Sequence, residues 1–197
     1  MAAAVVLAGC ETGPIMSPAE CANADWRAVG YADGAEGAAM STFAERVQTC
    51  ANAGYSVQES PYRAGYDEGV RVFCRPESGF RVGEQGSQVG AICPADLAPA
   101  FNAAFRDGQE LNRARSAFES AESTFRSLLS EREDVERKLV ANEIGLDAST
   151  TEADIARHRS EVIRLRNELI RIDRRLREAE YQSRYARDDY DRMRWRF

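Results

Sequence analysis

Few residues in this chain are placed to do chemistry. Among 197 residues there are five cysteines and one histidine. One pentapeptide pattern also recurs: Gly30-Tyr31-Ala32-Asp33-Gly34, then Gly65-Tyr66-Asp67-Glu68-Gly69 and, more loosely, Ala104-Phe105-Arg106-Asp107-Gly108. Tyr31, Asp33, Tyr66, Asp67, Glu68 and Asp107 could hold a small ligand or a cation if the fold brought them together. The competing reading is packing. Residues four apart share a helix face, so Gly30/Gly34 and Gly65/Gly69 each clear side chains from one spot where another backbone can approach. Glycine costs a helix about 1 kcal/mol relative to alanine, and a cost met repeatedly points to close packing of three helices. Ala104 and Gly108 would make the third contact, at the foot of the long helical segment that follows.

The first cysteine has a chemistry of its own. Leu7-Ala8-Gly9-Cys10 ends an apolar start and has the form of a bacterial lipobox, in which a peptidase cuts before a cysteine whose thiol carries a diacylglyceryl group. No Lys or Arg precedes Cys10, whereas a signal peptide opens with positive charge; the true start is therefore expected upstream of Met1. Lipidation would leave Cys21, Cys50, Cys74 and Cys93, an even set that an oxidising compartment would pair. Three connectivities are possible. Cys21–Cys50 with Cys74–Cys93 is preferred because each closes a short local loop. No pair has CxxC spacing, which disfavours zinc and thioredoxin-like chemistry.

Other constellations are thin. His158 stands alone, so a triad or a two-histidine metal site within one chain is excluded, and its place on a heptad suits packing. Ser17, Ser60 and Ser149 read as helix caps rather than nucleophiles. Gly79, Gly83, Gly86 and Gly90 are followed by no Gly-Lys-Ser/Thr and open no GxGxxG helix, so phosphate binding is set aside. No enzyme and no cofactor are expected. Net charge is -6, carried entirely before Gln109, and no basic block argues for nucleic acid.

Around these residues the chain reads as mostly α. Residues 1–9 would be a signal-peptide remnant and 10–16 a lipidated tether. A helical domain over 17–95 opens at Ser17-Pro18-Ala19-Glu20, a capping box with proline at the first helical position, and its first helix is expected to reach Gly37. Further helices fit Ala39 to Ala53, ended by Gly54, and Ser60-Pro61 to about Cys74. The glycines of 75–92 suggest a loop or small β-hairpin there, closed by Cys74–Cys93.

From Asp96 apolar residues recur at steps of three and four: Leu111, Ala114, Phe118, Ala121, Phe125, Leu128, Val135 and Leu139, with Arg132 the one interruption. After Asn142 to Ser149, with Gly145, a second run goes from Ile155 through Val162, Leu165, Leu169, Ile172, Leu176, Ala179, Ala186, Tyr190 and Met193 to Phe197. Ser149-Thr150-Thr151-Glu152 reads as its capping box. Helices over about 96–140 and 151–197 would form an antiparallel coiled-coil hairpin, each about 65–70 Å long at ~1.5 Å per residue, returning Phe197 beside Asp96. In the Arg-rich end, Tyr185, Tyr190 and Trp195 are expected to pack at the foot. The alternative places Arg192, Arg194, Arg196 and Trp195 against anionic lipid heads.

Several of these motifs also occur together elsewhere. Ser17-Pro18-Ala19-Glu20-Cys21, Ala24-Asp25-Trp26, Gly30-Tyr31-Ala32-Asp33-Gly34, Tyr62-Arg63-Ala64-Gly65 with Glu68-Gly69 and Phe73-Cys74, then Gly90 with Cys93-Pro94, resemble an uncharacterised family of proteobacterial lipoproteins, domain of unknown function 2799. The likeness covers roughly residues 16–108. It implies a Gram-negative envelope lipoprotein and brings no activity; the hairpin lies outside it.

Taken together, these residues are expected to build a membrane-anchored envelope lipoprotein that engages a protein partner, or a second copy, through its hairpin. A periplasmic binding module for a small ligand or cell-wall fragment is the alternative. Glu11 after Cys10 favours the outer over the inner membrane.

Overall fold

The computed structural model describes residues 15–196. Cys10, the 1–9 segment, most of the tether and Phe197 lie outside the described residues, and with Phe197 the expected return of the chain end. The chain divides into two compact units, 1–108 and 109–197. That boundary falls inside a helix rather than near residue 95.

Met16 of the expected tether is only 6% exposed and joins the core of the first unit. Helix α1 spans Pro18–Asn23, and its capping box is complete, with Ser17 Oγ accepting from the Glu20 amide and Glu20 reaching back to the Ser17 amide. The expected single helix to Gly37 is two. Ala24 is extended, and the Asp25 carboxylate accepts from the Arg27 and Ala28 amides to start α2, Trp26–Glu36. An aspartate that satisfies two orphan amides can begin a helix anew at little cost. Gly37, at φ 79°, ends α2 in the left-handed conformation, with the Phe73 ring packed against it.

Helices α3, Ser41–Asn52, and α4, Glu59–Phe73, follow. Ser60 lies within α4 and caps nothing; the N-cap is Gln58. The glycine-rich stretch 75–92 is neither loop nor hairpin over its first half: Pro76–Glu84 is helix α5, opened by proline in its first turn and followed by Gly86 at φ 71°.

Cys21–Cys50 and Cys74–Cys93 are both formed. They span 29 and 19 residues, loops for which chain entropy gives about 3–4 kcal/mol each. Cys50 and Cys74 are essentially inaccessible, and they sit in the core with Trp26, Tyr62, Tyr66, Val70, Phe73 and Phe101.

Helix α6, Ala98–Ala148, starts in this unit and continues into the second. It runs through the expected break at Asn142 to Ser149, because Gly145 leaves room for the His158 imidazole: a Cβ there would meet Cε1 at 2.6 Å. His158 Nδ1 lies 3.0 Å from Asn142 Oδ1. Helix α7 is Glu152–Arg196. Its N-terminal cap is Thr151, whose hydroxyl accepts from the Asp154 amide and donates to the Asp154 carboxylate. Ser149 instead donates back to the Gly145 carbonyl.

In the second unit α6 and α7 pack antiparallel. Val135, Leu165 and Ile172 form the core, with Leu139, Leu169 and Leu176 around them. Arg132, the interruption, turns outward to Asp173 of α7 at 2.9 Å and to Glu136 at 2.8 Å. Glu131–Arg175 and Glu143–Arg166 add further rungs. Nearer the end, Tyr190 stacks on Phe118 at 6.2 Å, and Arg187 lies 5.1 Å from the centre of the same ring. Of the three aromatics expected to pack there, only Tyr190 does so. Tyr185 and Trp195 are 58% and 87% exposed.

Candidate functional site

The repeated pentapeptide resolves into a crossing of two helices. A Cβ added at Gly30 would collide with the carbonyl of Tyr62, and one at Gly34 with that of Tyr66. Conversely, a Cβ at Gly65 would strike the carbonyl of Arg27 and one at Gly69 that of Tyr31. Every glycine of one helix thus touches the carbonyl three residues before the matching glycine of the other. The contacts ascend together, so α2 and α4 run parallel, related by a local two-fold with an offset of thirty-five positions. Such proximity brings Cα hydrogens onto carbonyl oxygens, weak bonds that only missing side chains permit.

The same device recurs where a loop was expected. A Cβ at Gly79 would lie 2.5 Å from the Phe101 carbonyl oxygen, and one at Gly108 would meet the Phe80 carbonyl and, at 2.7 Å, the Glu84 amide. Gly79/Gly83 and Ala104/Gly108 are therefore partners, and α5 pairs with the start of α6. Three pentapeptides suggested one three-helix contact; the structure has two separate pairs. The Gly79/Gly83 spacing was itself the missed signal.

The acid before the second glycine also has a repeated task. Asp33 is 4% exposed. It accepts from the Tyr62 hydroxyl at 2.6 Å and from Arg46 Nε and Nη2 at 2.7 and 2.6 Å. Its counterpart Glu68 accepts from Arg27 at 2.5 Å on the surface. Arg27 and Tyr62 are themselves two-fold counterparts, so each carboxylate reaches across the crossing to the same place on the other helix. Arg46, from α3, buries one copy of that link; sequence inspection did not single it out. Tyr66 donates to the Ala38 carbonyl at 2.7 Å, whereas its counterpart Tyr31 is 44% exposed. The carboxylates of the motif do not converge. Among the described residues no group of histidine, cysteine and acidic side chains could hold a metal.

Burial, followed by the Asp33 hydrogen bond, pushes the Tyr62 phenol far above its ordinary value of 10.0; burial likewise raises Tyr66. A raised phenol is the reverse of an activated nucleophile. Between the ordinary value and the raised one the native state holds protons that the unfolded chain has lost, so stability falls as pH rises. Thermal melts should therefore show the melting temperature dropping above about pH 10. Tyr62→Phe should flatten that slope, and an equal slope in the variant would remove Tyr62 as its origin.

A groove of about 660 Å³ lies over Asp33 and Arg46, walled by Ile15, Met16, Ala19, Val29 and Ala32. Its polar lining is already engaged: Glu20 with Ser17, Asn23 with the Ala19 carbonyl, Asp33 with Arg46. No buried side-chain polar atom among the described residues lacks a partner.

No curated protein and no solved structure matches the chain. Residues 25–110, the stretch that holds both glycine-crossed helix pairs, match the model of the family described as protein of unknown function (DUF2799).

Proposed function

We propose that this chain is a non-enzymatic envelope lipoprotein, tethered to a membrane through an acylated Cys10 and offering its α6–α7 hairpin to a protein partner. The observation that carries the docking role is the hairpin's exposed aliphatic surface: Ile144, Ile163 and Ile170 are 64%, 55% and 59% exposed. A two-helix spacer needs only its seam to be apolar. Isoleucines on the outside serve a contact. The lipobox form at Leu7 to Cys10 supports the anchor, with the outer membrane preferred over the inner. Two disulfides suit an oxidising compartment. No helix among the described residues is long and apolar enough to cross a membrane.

The engaged polar groups over Asp33 count against chemistry at that groove. They also make the binding-module alternative the weaker reading.

Intact mass under non-reducing conditions should report acyl chains on Cys10 together with both bridges, and Cys10→Ala should move the protein from the membrane fraction to the soluble one. Cross-linking in intact cells should lose its adducts when Leu111 to Tyr185 are removed. An unacylated mass, or a Cys10→Ala variant that stays with membranes, overturns the anchor; unchanged adducts overturn the docking role.

A further inference from the structure

The back of α7, the face turned away from its seam with α6, has a composition of its own. With Val162, Leu165, Ile172 and Ala179 buried in the seam, helical spacing sends Ile163, Ile170, Tyr181, Tyr185 and Trp195 outward. Each of the five is more than half exposed. From Ile163 to Trp195 they run about 48 Å along one helix at ~1.5 Å per residue. They are unevenly spaced, so they form no second heptad stripe for another helix to grip.

In sequence the arginines of this stretch alternate with acids; the helix separates them. Glu161, Glu168 and Asp173 fall on the flanks, the first two paired with Arg164 and the third with Arg132 of α6. The outward positions from 153 to 177 hold five bases and no acid; acids return only at Glu178, Asp188 and Asp191, among the aromatic residues. Flanking arginines are matched, Arg166 with Glu143 and Arg175 with Glu131. On the back, Arg171 donates to the Asn167 carbonyl, and neither it nor Arg174 nor Arg177 joins an ion pair among the described residues. Arg174 also edges the groove over Leu128 and Ala179, yet stays exposed. The outward positions of α6 from 112 to 144 show no such bias, with three acids and three bases.

We infer that the back of α7 lies on an anionic phospholipid surface, with Arg171, Arg174 and Arg177 at the phosphates and Ile163, Ile170 and Tyr181 at the edge of the hydrocarbon. Charge decides the sign of the occupant, since cations left without carboxylates attract an anionic surface. The long, uneven strip decides its kind. A bilayer needs no matching knobs: arginine stems lie along its apolar boundary while their heads stay with the phosphates, and tyrosine and tryptophan sit at headgroup depth. The inference goes beyond the docking reading. It gives the back of α7 to lipid and leaves Val140 and Ile144 of α6 to the protein partner.

Co-sedimentation of the full chain with vesicles tests it, carrying Cys10→Ser so that no acyl chain does the binding. Vesicles of equimolar phosphatidylglycerol and phosphatidylcholine should take up the protein, phosphatidylcholine alone should not, and raised salt should release it. Arg171→Gln with Arg174→Gln and Arg177→Gln should weaken uptake by at least about tenfold, and Ile163→Ser with Ile170→Ser should weaken it as well. Removing the same charge from the back of α6, as Arg113→Gln with Arg126→Gln and Arg137→Gln, should change uptake by less than about twofold, because those charges are screened from the contact. Circular dichroism should show all three variants still helical. A parent chain that ignores both vesicles or binds both alike, either α7 variant binding as its parent does, or an α6 variant weakened as much as the α7 arginine variant would each overturn the inference. A chain that ignores anionic vesicles while its cell adducts still depend on residues 111–185 loses the lipid contact and keeps the docking arm.

Discussion

Alanine at Gly65 is expected to cost at least about 4 kcal/mol, at the extreme of single substitutions, and to lower the melting temperature of the 1–108 unit by roughly 15–30 °C. A single methyl group can do this because of what it meets. The added Cβ would collide with the Arg27 carbonyl oxygen and lie 2.9 Å from the Tyr31 amide nitrogen. Both are backbone atoms of α2, so relief requires moving a whole helix, and with it Trp26 and Gly30 in the core. Gly30→Ala should behave alike, since it meets the Tyr62 carbonyl by the same local two-fold. Gly34→Val with Gly69→Val should leave the unit unfolded.

Two other glycines serve as controls. At Gly90 the nearest atom is a methyl of Ile92 at 3.9 Å, so alanine there should change stability by less than about 0.5 kcal/mol. Gly54 has open space but φ +83°, and alanine should cost only about 1 kcal/mol for the left-handed backbone. Calorimetry of the four single variants checks the order. A Gly65→Ala protein that melts within a few degrees of wild type would remove close packing as the reason for the repeat.

Arg46→Met is expected to destabilise the same unit by about 3–5 kcal/mol, the cost of leaving a buried charge without its partner. The Asp33 side chain is 6% exposed and that of Arg46 15%, so solvent cannot replace the two lost hydrogen bonds. The Tyr62 hydroxyl would remain as the one donor to Asp33. Adding Asp33→Asn to Arg46→Met should recover a large part of the loss: the charge disappears, and Tyr62 still donates to an amide oxygen. Chemical denaturation of wild type, single and double variants measures the coupling. If the double variant is no more stable than Arg46→Met alone, the deficit lies in lost packing of the arginine stem rather than in an orphaned carboxylate.

The sequence by itself determined the local and periodic features. Ser17 with Glu20 specified a cap, Gly54 an ending, and the heptads from Leu111 to Val135 and from Val162 to Ala179 the hairpin seam. These signals act over a few residues or repeat along one helix, so they can be read without knowing what lies opposite. Even the cystine partners followed from short loops. Other signals were local and were outweighed: Asp25 was hidden behind the stronger start at Ser17, and the cap of α7 lay at Thr151, two residues past Ser149.

Tertiary structure decided whatever depends on the surface across the way. Gly79 and Gly83 read as helix breakers because glycine weakens an isolated helix, yet α6 comes close enough there to stabilise α5. Gly145 read as a turn for the same reason, when its missing side chain accommodates His158. Asp33 and Glu68 are the same residue class at the same place in the same repeat. One is buried and the other is exposed because α3 covers a single side of the crossing and brings Arg46 with it, a choice no spacing along either helix contains.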